Sequence, residues 1–359
     1  MSITMKEIAS ICDVSRGTVD RVLNNRGKVR PETAERILAV ARSMGYRKQD
    51  TPILAAPASS HEYKIGVLIN SLDHPYYAEL LSGIIRALED YASYHFSGII
   101  RQSASFDVDQ QLLFLEQFLE MGVDALIISP ANSRRIADKL TQFDAAGKPV
   151  VFASSINQYY TPFAAINSDH YSSGVIAAGM ARLILPQGAK VSVLVGSLDM
   201  PGSALRLQGF CDTLAAKRPD IKLLEPIQSF DDDVIAFKAL SGQISRHQDI
   251  QLFFLAAGGY KGSFQALEDA GVLGKCRVLA FDTHDNNLGQ LRAGNVCALF
   301  EQYPVQQGEK AVKVIVDYLA GHITPQDKQI TIPIEIIIDE SVETSSQHNS
   351  QINRVGEVK

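Results

Sequence analysis

Residues 5–25 read Met5-Lys-Glu-Ile-Ala-Ser-Ile-Cys-Asp-Val-Ser-Arg-Gly-Thr-Val-Asp-Arg-Val-Leu-Asn-Asn25. The apolar residues of this segment fall on two short stripes at helical spacing, the first around Ile8 and the second around Val19. Ala9 is small enough to let two helices cross closely, and Ser15 is a good N-cap for the second helix. Between the helices, Asp13 tolerates the left-handed backbone that such a turn favours. The segment therefore predicts a helix-turn-helix.

The second helix of this segment would turn a polar face outward. Its outer positions hold Arg16, Gly17, Asp20 and Arg21, and arginines at a helix N-terminus suit the major groove of DNA. A third apolar stripe, in residues 34–41, indicates one more short helix. The plainer interpretation is an ordinary three-helix subdomain with a solvated basic face. The residue pattern alone leaves both interpretations open.

Charge is divided unevenly along the chain. Residues 1–48 contain 10 Lys or Arg and 5 Asp or Glu, a net charge of +5, whereas residues 49–359 carry −11. The total of −6 would by itself argue against nucleic acid. Its distribution instead places a small basic segment before a large acidic one, which favours a DNA-binding head. Chance clustering would produce the same count.

The remaining composition indicates a cytoplasmic protein with neither a metal nor a cofactor. The four cysteines form no C-x-x-C pair and no zinc-like spacing with histidine, so we expect reduced thiols. Residues 1–15 lack the apolar core of a signal peptide, and no run of the chain has the length of a membrane span.

The rest of the chain alternates between strand-like and helix-like segments. Residues 49–62 have the composition of a linker. From Tyr63 onward, apolar runs such as 125–128 alternate with amphipathic stretches such as 203–217. This rhythm predicts α/β architecture, with parallel sheets covered by helices on both faces, and it contains too many units for one sheet. We therefore expect two lobes, followed by a polar tail at residues 341–359.

The head motif matches a known pattern over residues 3–46. Val14-Ser15-x-x-Thr18-Val19-x-Arg21-Val22-Leu23-Asn24 is followed by Val29-Arg30-Pro31-Glu32-Thr33 and Met44-Gly45-Tyr46. Nearly without a gap, this resembles the head of the lactose-repressor (LacI/GalR) family of transcriptional regulators. The resemblance implies that bases are read by Arg16, Gly17 and Arg21. It implies that phosphates are held by Ser15, Thr18 and Asn24.

The head and the hinge after it depart from the family pattern. Gly17 has no side chain with which to read a base, and Asp20 replaces the usual small residue, so the operator should differ from the family's common one. Ala55 stands where a leucine normally wedges into the minor groove, with Leu54 one residue early. Pro52 would lie inside the hinge helix unless the helix begins there. These features argue against a standard leucine wedge.

The larger part of the chain, residues 63–340, resembles the type I periplasmic sugar-binding fold, in its ribose-binding-like branch. The resemblance implies two Rossmann-like lobes that face each other across a cleft and are joined by three crossovers. It assigns residues 63–168 and 303–331 to the first lobe, and residues 169–302 and 332–340 to the second. Open α/β sheets bind ligands at the carboxyl ends of their strands, so the effector site is expected there.

Several strand-end loops carry residue types suited to a sugar. Aromatic rings pack on the apolar face of a sugar, a guanidinium fork holds two oxygens, and carboxylates or amides bind hydroxyls. By the resemblance, Tyr76 and Tyr77 pack on a sugar ring and Phe230 stacks on it from the opposite lobe. The resemblance assigns hydrogen bonds to His74, Arg206, Asp282 and Gln302. Each residue also has a plainer role: core packing, an ion pair, a helix cap or a hinge.

Some polar positions of ribose binders are replaced in this chain. Ser154-Ser155 stands in place of Asp-Arg, Ala256-Ala257 in place of Asn-Asp, and Ser129 in place of an Asn. We include Ser129 and Ser154 among the expected effector contacts. The pocket should be roomier and less charged than a pentose site. A larger, a less polar and a phosphorylated ligand remain alternatives.

The combined expectation is a sequence-specific transcriptional regulator, most simply a repressor. Residues 1–48 would form an all-α helix-turn-helix domain that binds operator DNA, and a two-lobed periplasmic-binding-protein-like domain would bind a carbohydrate effector. The family resemblance also implies a homodimer. No membrane partner is expected.

Two other functions fit parts of the sequence. An α/β enzyme acting on a small carbohydrate would need a catalytic motif, but the chain has no G-x-G-x-x-G after a strand, no Walker A loop and no H-E-x-x-H. A solute-binding protein for uptake would share the fold of residues 63–340. The basic head and the lack of a signal sequence oppose that function. We therefore expect no enzymatic activity and no role in uptake.

Overall fold

The computed structural model describes residues 5–12, 14–23, 29–30, 33–34, 36–37, 40, 61–70, 74–321 and 328–342. These residues divide into two compact units, one within residues 1–58 and one within residues 59–343. Several predicted features lie outside the described residues: the backbone of Asp13, Asn24, the linker up to residue 60 with Pro52, Leu54 and Ala55, and the tail from residue 343 onward.

Two helices joined by a tight turn begin the smaller unit. Helix α1 spans Met5–Ile11 and helix α2 spans Arg16–Leu23. The Val14 amide donates to the Ala9 carbonyl at 3.0 Å and closes the turn between them. The predicted helix-turn-helix is therefore present in residues 5–23.

A small apolar core and one arginine hold this motif together. The buried side chains are Ile8, Ala9, Cys12, Val19 and Ile37. Arg36, a helical residue further along the chain, donates from Nη2 to the Cys12 carbonyl at 2.8 Å. Ser15 Oγ accepts from the Thr18 amide at 3.1 Å, as an N-cap does. The turn is thus fixed both by local bonds and by a distant helical residue.

The first lobe of the larger unit is built on a six-stranded, wholly parallel sheet. Its strands are β1 Tyr63–Asn70, β2 Phe96–Ser103, β3 Ala125–Ile128, β4 Val150–Ala153, β5 Ala164–Ser168 and β12 Gln329–Ile332. They lie in the order β12-β5-β4-β3-β1-β2. The helices are α3 Pro75–Tyr91, α4 Val108–Glu120, α5 Arg134–Ala145 and α11 Pro304–Leu319, and a 3-10 helix, Ala92–Tyr94, follows α3. Every residue of β3 and β4 is buried, because helices cover both faces of the sheet.

The second lobe is built on a seven-stranded sheet. Its strands are β6 Lys190–Val195, β7 Lys222–Leu223, β8 Ile227–Gln228, β9 Ile250–Leu255, β10 Arg277–Phe281, β11 Ala298–Glu301 and β13 Glu335–Ile337. They lie in the order β13-β11-β10-β9-β6-β7, β8 also pairs with β6, and β13 is antiparallel to β11. The helices are α6 His170–Ile184, α7 Pro201–Lys217, α8 Asp233–Arg246, α9 Tyr260–Asp269 and α10 Asp285–Arg292. Two apolar clusters, one around Phe210 and Phe254 and one around Phe253 and Phe264, form its core.

Three connections lead from one sheet to the other. The first runs from β5 to α6 through Asp169, and the second runs from β11 to α11 through Gln302 and Tyr303. The third runs from β12 to β13 through residues 333–334. Each lobe is therefore made from more than one stretch of the chain, with the cleft between the lobes spanned by these connections.

One pair of helices in the first lobe packs backbone against backbone. A Cβ added to Gly83 of α3 would lie 2.1 Å from the Val305 carbonyl oxygen of α11. A Cβ added to Gly308 of α11 would lie 2.3 Å from the Leu80 carbonyl oxygen of α3. Because both distances are far below a van der Waals contact, only glycine fits at either position.

The second lobe repeats this arrangement in α6 and α7. A Cβ on Gly174 of α6 would lie 2.0 Å from the Arg206 carbonyl oxygen, and one on Gly209 of α7 would lie 2.1 Å from the Tyr171 carbonyl oxygen. Both lobes therefore hold a closely packed helix pair, and each pair begins at the cleft between the lobes.

Candidate functional site

A cavity of about 650 Å³ opens between the two lobes, at the carboxyl ends of their strands. Eight of the nine expected effector contacts line it: His74, Tyr76, Tyr77, Ser154, Arg206, Phe230, Asp282 and Gln302. The fold thus brings together side chains from both lobes and from the crossover that contains Gln302.

Ser129 is the expected contact that the structure places elsewhere. Its side chain is fully buried, and its Oγ donates to the Ala153 carbonyl at 2.7 Å. The hydroxyl therefore ties the end of β3 to the end of β4, and Ser129 is not among the residues that line the cavity. The small serine side chain stays inside the sheet layer and does not reach the cavity. The expectation that Ser129 contacts the effector is therefore wrong.

Arg206 is buried, and each of its three nitrogens donates within the protein. Nε donates to Ser173 Oγ at 3.2 Å, Nη1 to the Ala256 carbonyl at 2.7 Å, and Nη2 to Gln302 Oε1 at 2.6 Å. The guanidinium carbon lies 3.7 Å from the centroid of the Phe281 ring, in a cation–π contact. Burial lowers the pKa of Arg206. All three acceptors are uncharged, so they orient the guanidinium without neutralising it.

Gln302 carries this hydrogen-bond network on to Asp282. The Gln302 Nε2 donates to Asp282 Oδ1 at 2.7 Å, and the Tyr260 hydroxyl donates to Oδ2 at 3.4 Å. Burial raises the pKa of Asp282 to about 6, and the Gln302 hydrogen bond opposes that rise. The cavity therefore presents a fixed cation and a fixed carboxyl group, joined by a single amide.

Aromatic rings line another part of the cavity. Tyr76 and Tyr77 are buried and meet edge to face, with their ring centroids 5.4 Å apart. The ring centroid of His74 lies 5.5 Å from that of Tyr77. Burial raises the pKa of Tyr77 to about 12 and raises that of Tyr76 further, so both hydroxyls remain protonated donors. Phe230 is half exposed, which leaves its ring free to pack on a ligand.

Five residues that line the cavity have a left-handed backbone: Ser105 (φ 49°), Ser154 (φ 71°), Phe230 (φ 51°), Asp231 (φ 59°) and Asp282 (φ 66°). All of them lie at or just beyond the carboxyl end of a strand. A non-glycine residue in this conformation costs about 1–3 kcal/mol, and such residues cluster at functional sites. The strained strand ends therefore mark the same cavity as the side-chain chemistry does.

Polar contacts among the described residues connect the lobes across the cleft. His74 Nε2 lies 3.9 Å from Asp231 Oδ1, while its Nδ1 accepts from the Tyr76 amide at 3.3 Å and so caps α3. Elsewhere, Asn132 Nδ2 donates to the Asp199 carbonyl at 3.0 Å. Both contacts join a residue of the first lobe to a residue of the second.

His170 and Gln307 are polar residues of the site that were not predicted from the sequence. His170, the first residue of α6, lines the cavity, and among the described residues neither of its ring nitrogens has a hydrogen bond of normal geometry. Gln307 is fully buried in α11, where Oε1 accepts from the Tyr76 hydroxyl at 3.0 Å and Nε2 donates to the Gln302 carbonyl at 2.8 Å. His170 follows the end of β5, so the strand-end rule could have found it. A glutamine inside a helix gives no such signal.

The expected DNA-reading residues share one side of α2. Arg16, Gly17 and Arg21 are exposed. Arg21 donates from Nε to the Gly17 carbonyl at 3.1 Å and from Nη2 to Thr18 Oγ1 at 3.2 Å, and Thr18 Oγ1 lies 2.9 Å from Ser15 Oγ. A Cβ on Gly17 would meet nothing nearer than Ser15 Oγ, at 3.8 Å. The fold of the head therefore does not require glycine at position 17.

Within the described ranges, no three or more His, Cys, Asp or Glu side chains are grouped so as to hold a metal ion. Within the same ranges, no helix is both long enough and apolar enough to cross a membrane. The four cysteines are free thiols.

Known proteins share both parts of this architecture. Residues 65–323 match the family of periplasmic binding protein domains, and residues 4–49 match the lacI family of bacterial regulatory proteins. Over 291 residues the chain is 26% identical to the ribose import binding protein of Bacillus subtilis (strain 168), covering 80% of this chain and 92% of that protein. It is 24% identical over 277 residues to the ribose operon repressor of Haemophilus influenzae, covering 75% of this chain and 78% of the repressor.

A solved structure has the same fold as the larger unit. It is an ABC transporter solute binding protein from Bacillus halodurans C-125 with bound myo-inositol, with a TM-score of 0.71 and 21% identity over 80% of this chain and 98% of that one. With the lacI-family head on residues 4–49 and the periplasmic binding protein domain on residues 65–323, the chain belongs to the lacI family of bacterial regulatory proteins.

Proposed function

We propose that this protein is a sequence-specific DNA-binding transcriptional regulator, a repressor whose operator affinity is controlled by a carbohydrate or carbohydrate derivative. The effector binds between the two lobes of the larger unit, and the helix-turn-helix binds the operator. The protein acts in the cytoplasm as a homodimer, without catalytic turnover and without a cofactor.

The hydrogen-bonded series Arg206–Gln302–Asp282 is the observation that carries the effector half of this proposal. Gln302 belongs to the crossover between β11 and α11 and bonds to both ionisable residues at once. The groups that face a ligand are thus attached to a segment about which the lobes can move. A ligand that engages Arg206 and Asp282 changes the free-energy difference between open and closed lobes.

The DNA half of the proposal rests on the exposed face of α2. Arg16 and Arg21 stand free of the apolar core that holds the motif together, so they are available for base edges and phosphates. In a homodimer, two such heads would bind adjacent half-sites of a pseudo-palindrome.

The coupling between the two halves is a difference in effector affinity between two states of the dimer. If the effector binds the DNA-incompetent state more tightly, it releases the operator, and the ratio of the two affinities sets how far the population moves. Release of the operator is the behaviour that the family resemblance implies, and it is the one we propose.

One experiment names the effector and tests the coupling. The full-length protein is screened by thermal unfolding against sugars, polyols and sugar phosphates, because a tight ligand raises Tm by mass action. An operator is selected from random-sequence duplexes, and its affinity is measured with and without the ligand found. An effector that leaves operator affinity unchanged would disprove the coupling.

Matched variants assign the two halves to their residues. Arg206→Ala and Asp282→Ala should abolish the effector response while operator binding without effector is kept. Arg21→Ala should lose operator affinity while the thermal response to effector is kept. Deletion of residues 1–48 should likewise remove DNA binding alone, and DNA binding that survives this deletion would contradict the proposal.

A further inference from the structure

One part of the cavity contains polar groups that lack the partners that buried polar groups normally have. His170 begins α6, and both of its ring nitrogens are buried without a hydrogen bond of normal geometry among the described residues, although the Ser154 backbone lies close enough to oppose the lowering of its pKa by burial. A buried imidazole in this condition costs free energy unless something else pairs with it. Since His170 lines the cavity, a ligand is the partner that the geometry allows.

Arg206 lies in the same part of the cavity, and the carboxylate that most favours its charge, Asp282, is linked to it only through Gln302. Its three hydrogen bonds go to a hydroxyl, a backbone carbonyl and a side-chain amide. None of the ion pairs found among the described residues includes it. A buried cation that no carboxylate contacts directly is only partly compensated, so a bound anion would stabilise it further.

The start of helix α7 is the third element of this region. Its N-cap residue, Met200, provides no side-chain cap, and Gly202 and Ser203 in its first turn line the cavity. The His170 ring packs directly on this turn, because a Cβ on Gly202 would lie 3.0 Å from His170 Nε2. Free amide groups at the start of a 17-residue helix carry a partial positive charge that favours anions.

Carboxylates also line the cavity, but they are engaged or exposed elsewhere. Asp282 accepts from Gln302 and Tyr260, and Asp231 Oδ1 accepts from the Gly258 amide at 2.8 Å. Asp107 and Asp199 are exposed. No hydrogen bond in the described part of the chain joins any of these four carboxylates to His170 or Arg206.

We propose that His170, Arg206 and the first turn of α7 at Gly202 and Ser203 form an oxyanion subsite, and that the effector is a carbohydrate bearing a phosphate or a carboxylate. The proposal rests on the effector function proposed above and narrows its ligand class. The oxyanion receives hydrogen bonds from Arg206, from the α7 amides and from His170, while the sugar ring lies toward Tyr76, Tyr77 and Phe230. Ser154-Ser155, in place of the charged pair of ribose binders, leaves room for the larger ligand.

The test uses thermal unfolding of the full-length protein with matched neutral and anionic probes. The probes are inorganic phosphate, ribose with ribose 5-phosphate, and glucose with glucose 6-phosphate and glucuronate. Each is tested on the wild type, on Arg206→Met, on His170→Leu and on Arg206→Lys, which keeps the charge. Arg292→Met, at an exposed arginine, controls for the loss of one positive charge.

We expect at least one anionic probe to raise Tm more than its neutral counterpart does. The apparent Kd should weaken by about tenfold or more in Arg206→Met and in His170→Leu, a change of about 1.4 kcal/mol or more. Arg206→Lys should keep part of the response, and Arg292→Met should keep all of it. Because phosphate also stabilises proteins non-specifically, only the difference between wild type and variants counts.

Three results would each overturn the subsite. In the first, neutral sugars stabilise the protein as much as their anionic counterparts. In the second, the response to the anionic probes is unchanged in Arg206→Met and in His170→Leu. In the third, neither phosphate nor any anionic sugar stabilises the wild type. None of these results involves DNA, so operator binding and its control by a neutral effector would be judged separately.

Discussion

Arg206 and Gln302 are joined by a hydrogen bond of 2.6 Å between Nη2 and Oε1, which ties a helix of the second lobe to the crossover that leads back to the first. The same amide donates to Asp282 at 2.7 Å. Gln302 therefore stands between the cation and the carboxyl group of the cavity, and its loss would remove one hydrogen bond from each.

Gln302→Met should destabilise the protein and weaken effector binding. Arg206 and Asp282, both buried, would each lose one hydrogen bond, at a cost of about 1–3 kcal/mol. Urea unfolding measures the loss of stability, and the ligand-induced rise in Tm measures the loss of binding. The matched control is Gln265→Met, at an exposed glutamine that also donates to an aspartate, Asp269, at 2.7 Å. Equal effects of the two substitutions would contradict the role of Gln302.

Asp282 should give the protein a distinctive pH dependence. Burial raises its pKa from 3.8 to about 6. The folded state thus binds the proton more tightly than the unfolded state, so the stability contributed by neutral Asp282 is complete below pH 3.8 and is lost as the pH rises through about 6. Asp282→Asn keeps the group neutral, so the variant should gain stability relative to wild type across this window, by up to about 3 kcal/mol.

Chemical denaturation at several pH values measures this difference. His170 and His284, whose pKa values burial lowers to about 4, titrate in both proteins and cancel in the comparison. Parallel curves for wild type and Asp282→Asn would show that the carboxyl group has an ordinary pKa.

Two glycines of helix α6 should respond in opposite directions to alanine. Gly174→Ala places a Cβ 2.0 Å from the Arg206 carbonyl oxygen, so α7 must move and stability should fall by about 1–3 kcal/mol or more. Gly179→Ala meets nothing within 4 Å and should stabilise the helix by about 0.5–1 kcal/mol. Thermal unfolding distinguishes the two, and a neutral Gly174→Ala would refute the close contact.

Gly17 should matter to DNA binding but not to the fold of the head. A Cβ at this position has open space around it, so Gly17→Ala should preserve the helix or stabilise it slightly. If the backbone at Gly17 approaches the operator closely, the added methyl group will reduce operator affinity. Circular dichroism and fluorescence anisotropy with operator DNA measure the two effects. Unchanged operator affinity would place Gly17 away from the DNA.

The contact between Asn132 and Asp199 should contribute to the closed arrangement of the lobes. Asn132→Ala removes the 3.0 Å hydrogen bond across the cleft, which is worth about 0.5–1.5 kcal/mol. Effector binding that requires closed lobes should weaken by a corresponding factor, measurable by calorimetry. A Kd equal to that of the wild type would show that the effector does not depend on this contact.

The location of the site could be predicted because the ends of the buried strands can be recognised in the sequence. Asp282 directly follows the apolar run that forms β10, and Phe230 comes two residues after β8. The rule that parallel strands end on one edge indicated which loops to consider, whereas the assignment of individual residues to the site came from the family resemblance. Residue type and register did not reveal Ser129, whose hydroxyl is consumed by the Ala153 carbonyl inside the sheet layer.

Other parts of the structure have no clear pattern in the sequence by which they could be predicted. Strand β2, Phe96–Ser103, is an edge strand with partly exposed residues, so it lacks the continuous apolar run by which the buried strands were found. Gln307 lies inside a helix. One of its partners, Tyr76, is far away in the sequence, and the other, Gln302, precedes the helix. Such residues depend on tertiary contacts that no local pattern encodes.

The glycine contacts of α3 with α11 and of α6 with α7 have a consequence for how this protein can acquire new specificities. Gly83, Gly308, Gly174 and Gly209 fix the helix backbones without using any side chain that faces the cavity. The residues at the strand ends are therefore free to be exchanged while the helices that carry Tyr76 and Arg206 stay in place. Descendants of this chain could change the inducer they respond to by a few substitutions in the loops, without rebuilding the scaffold.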